Sequence, residues 1–506
     1  MPCKTIRHWT QTLVVAAGLL TMAAAAQAPL DVRVALVIGN AAYLGAAALA
    51  NPANDARAIA DTLKQLGFTV VELRDSGKAE MSEAIIKVRE ALKGKQGVGM
   101  LYYADHGLQL DWRNYMVPVD AKMASAADVP SQSIDVNTVL DAFKGAGNRM
   151  NILVLDACRD NPFASSASGK GLAQVDAPPG TFLAYATAPG NVAEDGDVKG
   201  GNGLYTQYLL EELKKPTARI EDVFKRVRLN VRKQSQGRQI PWESTSLEDD
   251  FYFNRGVALS KPDEAAKLVA FNAQKADWAA IRDSTNPDDY FAFLQKHPQG
   301  ELAEEAQFKL DRLVKPKIVA ALGKDQDANL AFSGERFQLG DEYGVQVKDI
   351  LTGVPIRSFT SRVSAIKGDV VEINDGAVLF TTLGGWIKTT YGQYNPPWGG
   401  SPAEYQVGKS WEPRSTETIP GGQTNQLRGK SKIVGRETIS VPAGKFSTYV
   451  IEFTGYSSNG SVYQKKAWVD PRFGYPIKSE LIGRRAGGTM FQSEVSELVS
   501  LKAARS

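Results

Sequence analysis

The chain has 506 residues, enough for about two to four domains, with 43% hydrophobic and 23% charged residues and a formal net charge of +3. That composition is ordinary for soluble globular protein. No block of like charge and no aromatic-studded basic stripe is present, so nucleic acid is not an expected partner.

Lys4 and Arg7 open the chain, followed by TLVVAAGLLTMAAAA and then QAPLDV. A basic start, a short apolar run and small residues mark a secretory signal peptide over residues 1–26, cut after Ala26. The run falls short of the roughly 20 apolar residues that a spanning helix needs. Cleavage removes Cys3, Lys4 and Arg7, which leaves a net charge of +1 and one cysteine, Cys158. The expected location is periplasmic or secreted, with no membrane span after cleavage. A lone thiol in an oxidising compartment cannot close an intramolecular disulfide, and its reactivity becomes the question.

From Asp31 to about Arg255 apolar runs alternate with helical patterns. VRVALVIGN, FTVVELRD, VGMLYYADHG, MNILVLDAC and GTFLAYATAP read as strands. NPANDARAIADTLKQLGF, MSEAIIKVREALKG, GLYTQYLLEELKK and IEDVFKRVRLNVRKQ read as helices, and a helix or loop is expected between the third and fourth strands. This order predicts an α/β domain over residues 31–255, with a parallel-rich sheet covered on both faces. Residues 261–315 read as a helical linker module, with Asn286–Pro287 as a cap and first-turn pair. Its inward residues are expected to be Trp278, Ile281, Phe291, Leu294, Phe308, Leu310 and Leu313. Residues 318–506 alternate polar and apolar with regular Gly, Asn, Asp and Pro punctuation, which predicts an antiparallel meander, curved or partly closed into a barrel. Trp386, Trp398, Trp411 and Trp468 are expected in its core.

Ligands on parallel sheets bind beyond the carboxyl ends of the strands. His106 and Cys158 both fall just past the ends of apolar runs, on that rim. The chain has three histidines: His8 leaves with the signal peptide, and His297 lies in the helical module. A histidine partner for Cys158 within its own domain is therefore His106. A thiol near pKa 8.5 is mostly protonated at neutral pH, and an imidazole beside it can take that proton and pass one to a leaving amine. The backbone N–H groups of Gly107 and Cys158 would form a donor pair for an oxyanion. The plain alternatives are a buried inert cysteine and a hydrogen-bonded histidine at a strand end.

The pieces VALVIGN, NPANDA, YYADHG, NYMVPVDA, LDACRDNP and NGLYTQYLLEEL, in that order, resemble the caspase-like cysteine peptidases, and bacterial orthocaspases and metacaspases more than animal caspases. The resemblance covers about Val32 to Phe253. The 52-residue separation of His106 and Cys158 agrees with the caspase pattern of a histidine about 50 residues upstream. It implies a caspase-like (caspase–hemoglobinase) sandwich and an endopeptidase with His106 as general base and acid and Cys158 as nucleophile. It also implies that Gly107 lines the oxyanion site. Asp156 stands where the caspase signature has an amide. An acid there repels an aspartate and attracts arginine or lysine, and metacaspase-like members with this acid cleave after basic residues. Asp195 is the second candidate for that pocket; otherwise it is a solvated loop acid. Asp156 could instead cap the following turn.

Asp105 departs from the Gly or Ser that many relatives carry. It would orient or cationise His106 or crowd the pocket, although strand alternation points its side chain away. It favours the alternative function, a catalytically inactive caspase-fold scaffold or interaction protein. Expected partners are peptide or protein substrates with basic residues, and a protein partner for the C-terminal domain. No cofactor is expected. Zinc lacks ligands; calcium activation is known among metacaspase-type relatives, but no EF-hand spacing occurs. The glycine-rich segment 193–202 offers Lys199 as a self-processing point.

Overall fold

Arg33–Gly39 is an apolar run too short for a helix, and it forms β1, second from one edge of the first sheet. The computed structural model describes residues 32–43, 49–110, 113–158, 172, 177–187, 201–255, 264–314, 331–332 and 336–503. The expected signal peptide, Lys199 and Asp195 lie outside the described residues. Helix α1 (Pro52–Gln65) starts on a proline with Asp55 in its first turn and stops before Gly67, whose φ of 83° suits glycine. There follow β2 (Thr69–Arg74), α2 (Lys78–Leu92), β3 (Val98–Leu110), β4 (Arg113–Met116), a 3-10 turn at Ala126–Asp128, α3 (Val129–Gln132), β5 (Ile134–Asp135), α4 (Val136–Gly145), β6 (Met150–Cys158), β7 (Thr181–Tyr185), α5 (Leu204–Leu213), α6 (Ile220–Gln234) and β8 (Trp242–Thr245).

The sheet runs β2-β1-β3-β6-β7-β8, parallel except for the last pair. Each strand buries alternate residues on opposite faces. Ala35, Val37, Tyr102 and Val154 pack under Ile59, Leu209 and Val227 of α1, α5 and α6. Leu36, Ile38, Leu101 and Leu153 pack under Ile85, Val88 and Phe143 of α2 and α4. This is the mostly parallel, two-faced α/β layer that the strand–helix alternation implies.

Two local expectations are corrected. β3 does not end near His106. It leaves β6 at that residue and runs on to Leu110, where Gly107–Leu110 pair antiparallel with β4. The segment expected as a helix or loop therefore begins as a strand. β8 is an antiparallel edge strand that the apolar pattern did not separate from its surroundings.

Three helices follow: α7 (Glu264–Ile281), α8 (Pro287–Lys296) and α9 (Glu301–Val314). Asn286 caps α8 by accepting from the Asp288 N–H at 3.1 Å. Their small core holds Phe291, Leu294 and Leu310, with Trp278 and Ile281 at its border and Leu229 of α6 inserted from the first domain. Leu313, expected inward, is 39% exposed. Phe308 is buried, but against Leu383 and Ala403 of the next domain instead of its own module. No helix among the described residues is long and apolar enough to cross a membrane.

The remainder is β: β9 (Ala331–Phe332), β10 (Glu342–Asp349), β11 (Pro355–Lys367), β12 (Val370–Ile373), β13 (Val378–Thr381), β14 (Trp386–Lys388), β15 (Gln393–Trp398), β16 (Glu404–Tyr405), β17 (Ser410–Trp411), β18 (Arg414–Thr418), β19 (Thr424–Val441), β20 (Gly444–Ser457), β21 (Val462–Val469), β22 (Lys478–Arg484) and β23 (Met490–Lys502). The 13-stranded antiparallel sheet closes on itself: β10 pairs β23, β19 pairs β20, and β17 hangs from β19. Trp411 and Trp468 are buried as expected, whereas Trp386 is 36% exposed.

Buried charge joins the parts. Arg228 of α6 bonds Glu243 of β8 at 3.3 Å and Glu404 of β16 at 2.8 Å, and Arg232 meets Asp311 of α9 at 2.5 Å. Burial opposes ionisation of Glu304, but Lys409 at 2.7 Å and Lys225 at 3.9 Å outweigh it and hold the carboxyl at about 2. Its neighbour Glu305 goes the other way. Burial pushes it up to about 7, against a hydrogen bond from Thr381, and Asp369 adds to the rise. A carboxyl bound to its proton more tightly when folded adds stability below its unfolded value of 4.5 and loses that contribution as pH rises through 7. Glu305→Gln should therefore match the wild type near pH 4 and exceed it by about 3 kcal/mol near pH 8. Urea unfolding at the two pH values checks this; an equal difference at both would contradict it.

Candidate active site

β3 and β6 run side by side in parallel register from Val98↔Met150 to His106↔Cys158. Neighbouring strands lie about 4.8 Å apart, so positions 106 and 158 stand side by side at one level of the sheet. Cys158 is the last residue of β6.

His106 is held from several sides. Its ring lies 4.7 Å from that of Tyr43, tilted by 58°. The Tyr43 hydroxyl donates to the Val117 carbonyl at 3.0 Å. The Tyr103 hydroxyl donates to the His106 carbonyl at 2.7 Å and accepts from the Val117 N–H at 2.7 Å, which ties β3 to the end of β4. Tyr43 and Tyr103 were not foreseen as functional residues. Tyr43 follows β1 in a segment without period, and only the sheet order brings it to His106.

Asp105 is buried on the opposite face, as strand alternation requires. Its Oδ1 accepts from the backbone N–H of His106 at 2.5 Å, and its Oδ2 has no hydrogen-bond partner. Burial raises its pKa well above the usual carboxylate range, and the His106 N–H and the Asn40 side chain only partly offset this. Burial thus favours its neutral form, and strand alternation turns the carboxyl to the face away from the imidazole.

Gly107 has a packing reason for being glycine: a Cβ there would stand 2.9 Å from both the Ala157 Cβ and the Leu172 Cδ2. Asp156 shares its face with His106. Its Oδ2 accepts from the Thr206 hydroxyl at 2.8 Å and from the Tyr102 hydroxyl at 3.3 Å. Thr206 and Tyr102 also hydrogen-bond each other. Burial first, then Asp156, keeps both Tyr102 and Tyr205 protonated far above neutral pH. Nearby, Asp55 of α1 accepts from the Gly203 N–H at 3.0 Å at the start of α5. The carboxylate of Asp156 is thus oriented by β3 and α5; the turn that follows it lies outside the described residues. Tyr102 is readable as a partner only once its register opposite Val154, one step below Asp156, is known.

A mostly parallel sheet covered by helices, with a histidine and a cysteine paired at the last step of the parallel β3–β6 ladder, is a caspase-like arrangement. Residues 32–252 match the family model of the caspase domain. The mucosa-associated lymphoid tissue lymphoma translocation protein 1 of Homo sapiens and its homolog in Mus musculus are each 31% identical to this chain over 196 residues. That stretch is 38% of this chain and 23% of either relative, so the chain spans under a quarter of their length. The crystal structure of the Drosophila initiator caspase Dronc covers 44% of this chain and 83% of its own at 16% identity, with a TM-score of 0.33.

Proposed function

We propose that the chain is an exported cysteine endopeptidase that cleaves after arginine or lysine. The observation that carries this reading is the β3–β6 register that sets His106 opposite Cys158. In the proposed reaction His106 takes the thiol proton and the Cys158 sulfur attacks the scissile carbonyl. The backbone N–H groups of Gly107 and Cys158 receive the developing oxyanion, and protonated His106 gives its proton to the leaving amine. His106 then activates a water that releases the acyl group. Asp156, oriented by Thr206 and Tyr102, supplies the negative charge for a basic side chain, with Asp195 as its second acid. Export rests on residues 1–26, and the domain limits remain 31–255, 261–315 and 318–506. The alternative, an inactive caspase-fold scaffold, drew on Asp105, whose carboxyl accepts from the backbone N–H of His106.

A peptidyl-arginyl chloromethylketone tests the proposal. Mass spectrometry should find the adduct on Cys158 and should lose it in His106→Ala. Absence of any adduct through the neutral pH range would end the peptidase reading and favour the scaffold.

A further inference from the structure

The C-terminal ring of strands is packed at one end and open at the other. Inward positions follow from the register. Lys465 of β21 stands between Phe453 of β20 and Leu481 of β22, with Tyr463 one step nearer the open end and Ala467 one step deeper. The deeper inward residues are sealed: Ala467, Val469, Ile451 and Tyr449 are all buried. Tyr463, Lys465, Phe453 and Leu481 keep partial exposure although the ring around them is closed. Phe491 at the rim is 43% exposed. The inner wall is thus a cup.

Three glycines shape it. A Cβ on Gly429 or Gly455 would stand 2.4 or 2.5 Å from the Phe453 ring, and one on Gly483 would stand 2.8 Å from the Phe491 ring. The two aromatic rings therefore lie against bare backbone instead of crossing the opening. Tyr463 meets Phe491 edge-on at 5.8 Å, and Trp398 meets Phe453 edge-on at 5.6 Å.

Two carboxylates of the wall already have hydrogen-bond partners. Glu494 is held by a two-pronged bond from Arg357, at 2.8 Å on each oxygen. Glu417 accepts from the Tyr394 hydroxyl at 3.2 Å and the Asn425 amide at 2.9 Å. Lys465 has no ion-pair or hydrogen-bond partner among the described residues. Burial alone lowers its pKa, with no carboxylate opposing the shift. A lysine at the floor of an aromatic cup, without a counter-charge, lacks one anion.

We infer that this cup binds a single carboxylate carried on an apolar chain: the head pairs with Lys465, and the chain runs outward along Phe453, Leu481, Tyr463 and Phe491. The fit is one of charge below and apolar surface above. A phosphate or a polyanion would leave the aromatic wall unused. A neutral chain would leave Lys465 unpaired.

Dansyl-labelled undecanoic acid added to the full-length protein is the probe. Its fluorescence should rise saturably and be displaced by dodecanoate, but not by methyl dodecanoate or dodecyltrimethylammonium. Lys465→Met should weaken binding at least about tenfold, and Lys465→Arg should retain most of it. No saturable binding, equal displacement by acid and methyl ester, or unchanged affinity in Lys465→Met would each overturn the inference. Should Lys465→Met fail to fold, the acid-against-ester comparison on the unaltered protein decides alone. Neither arm depends on Cys158, so the result is separate from the fate of the peptidase proposal.

Discussion

Cys158→Ala is expected to lower kcat/KM on a fluorogenic arginyl peptide by on the order of 10^5-fold, or about 7 kcal/mol of transition-state stabilisation. The size follows from the role: without the sulfur there is no acyl intermediate, and binding and backbone donors alone retain only a weak residual. His106→Ala should cost a similar factor, because a thiol without its base is mostly protonated and a leaving amine without an acid departs poorly. Groups that act as one unit do not add, so the double variant should fall no further than either single one. Initial rates over a range of substrate concentrations provide the check. A Cys158→Ala enzyme that keeps more than a few per cent of its activity would remove the nucleophile from the mechanism.

Asp156→Asn comes second in size. Asparagine keeps the shape and still offers an oxygen to Thr206 and Tyr102, which bond the carboxylate at 2.8 and 3.3 Å. What it loses is charge. Removing one member of a desolvated ion pair costs several kcal/mol, so the preference for arginine over an uncharged isostere should fall by about 100-fold. Turnover of the uncharged peptide should hardly change. A purely structural Asp156 predicts otherwise, with both substrates slowed alike and the melting temperature lowered. Measuring kcat/KM for both peptides separates the two cases.

The sequence made some of this legible, and the reasons are local. β1, α1 and β6 were readable because an apolar run or a helical period coincides with a clear stop, as at Gly67. His106 and Cys158 stood out through scarcity, and a shared register turns that scarcity into adjacency. The prolongation of β3 was hidden because Gly107 and Gln109 break the apolar run, while β4 supplies the ladder that keeps the backbone extended. Tyr43, Tyr102 and Thr206 were missed because each is an unremarkable residue on its own element. Their meaning comes from distances between elements, which no pattern within one element encodes. Phe308 and Leu313 show the same limit on a helix. Both fit an apolar stripe, yet α9 is flanked on two sides, and the barrel took Phe308 while Leu313 was left in water. The antiparallel meander was legible from alternation, but its closure depends on β10 meeting β23, about 150 residues apart.

That last pairing has a practical corollary. A wall with no first or last strand offers no bare ladder to a passing chain. Cutting the protein before Met490 would free the outer sides of β10 and β22 at one stroke. The product would not be a neat shorter domain. It would carry two raw seams, ready to recruit strands from other molecules, and it should precipitate where the intact protein stays in solution.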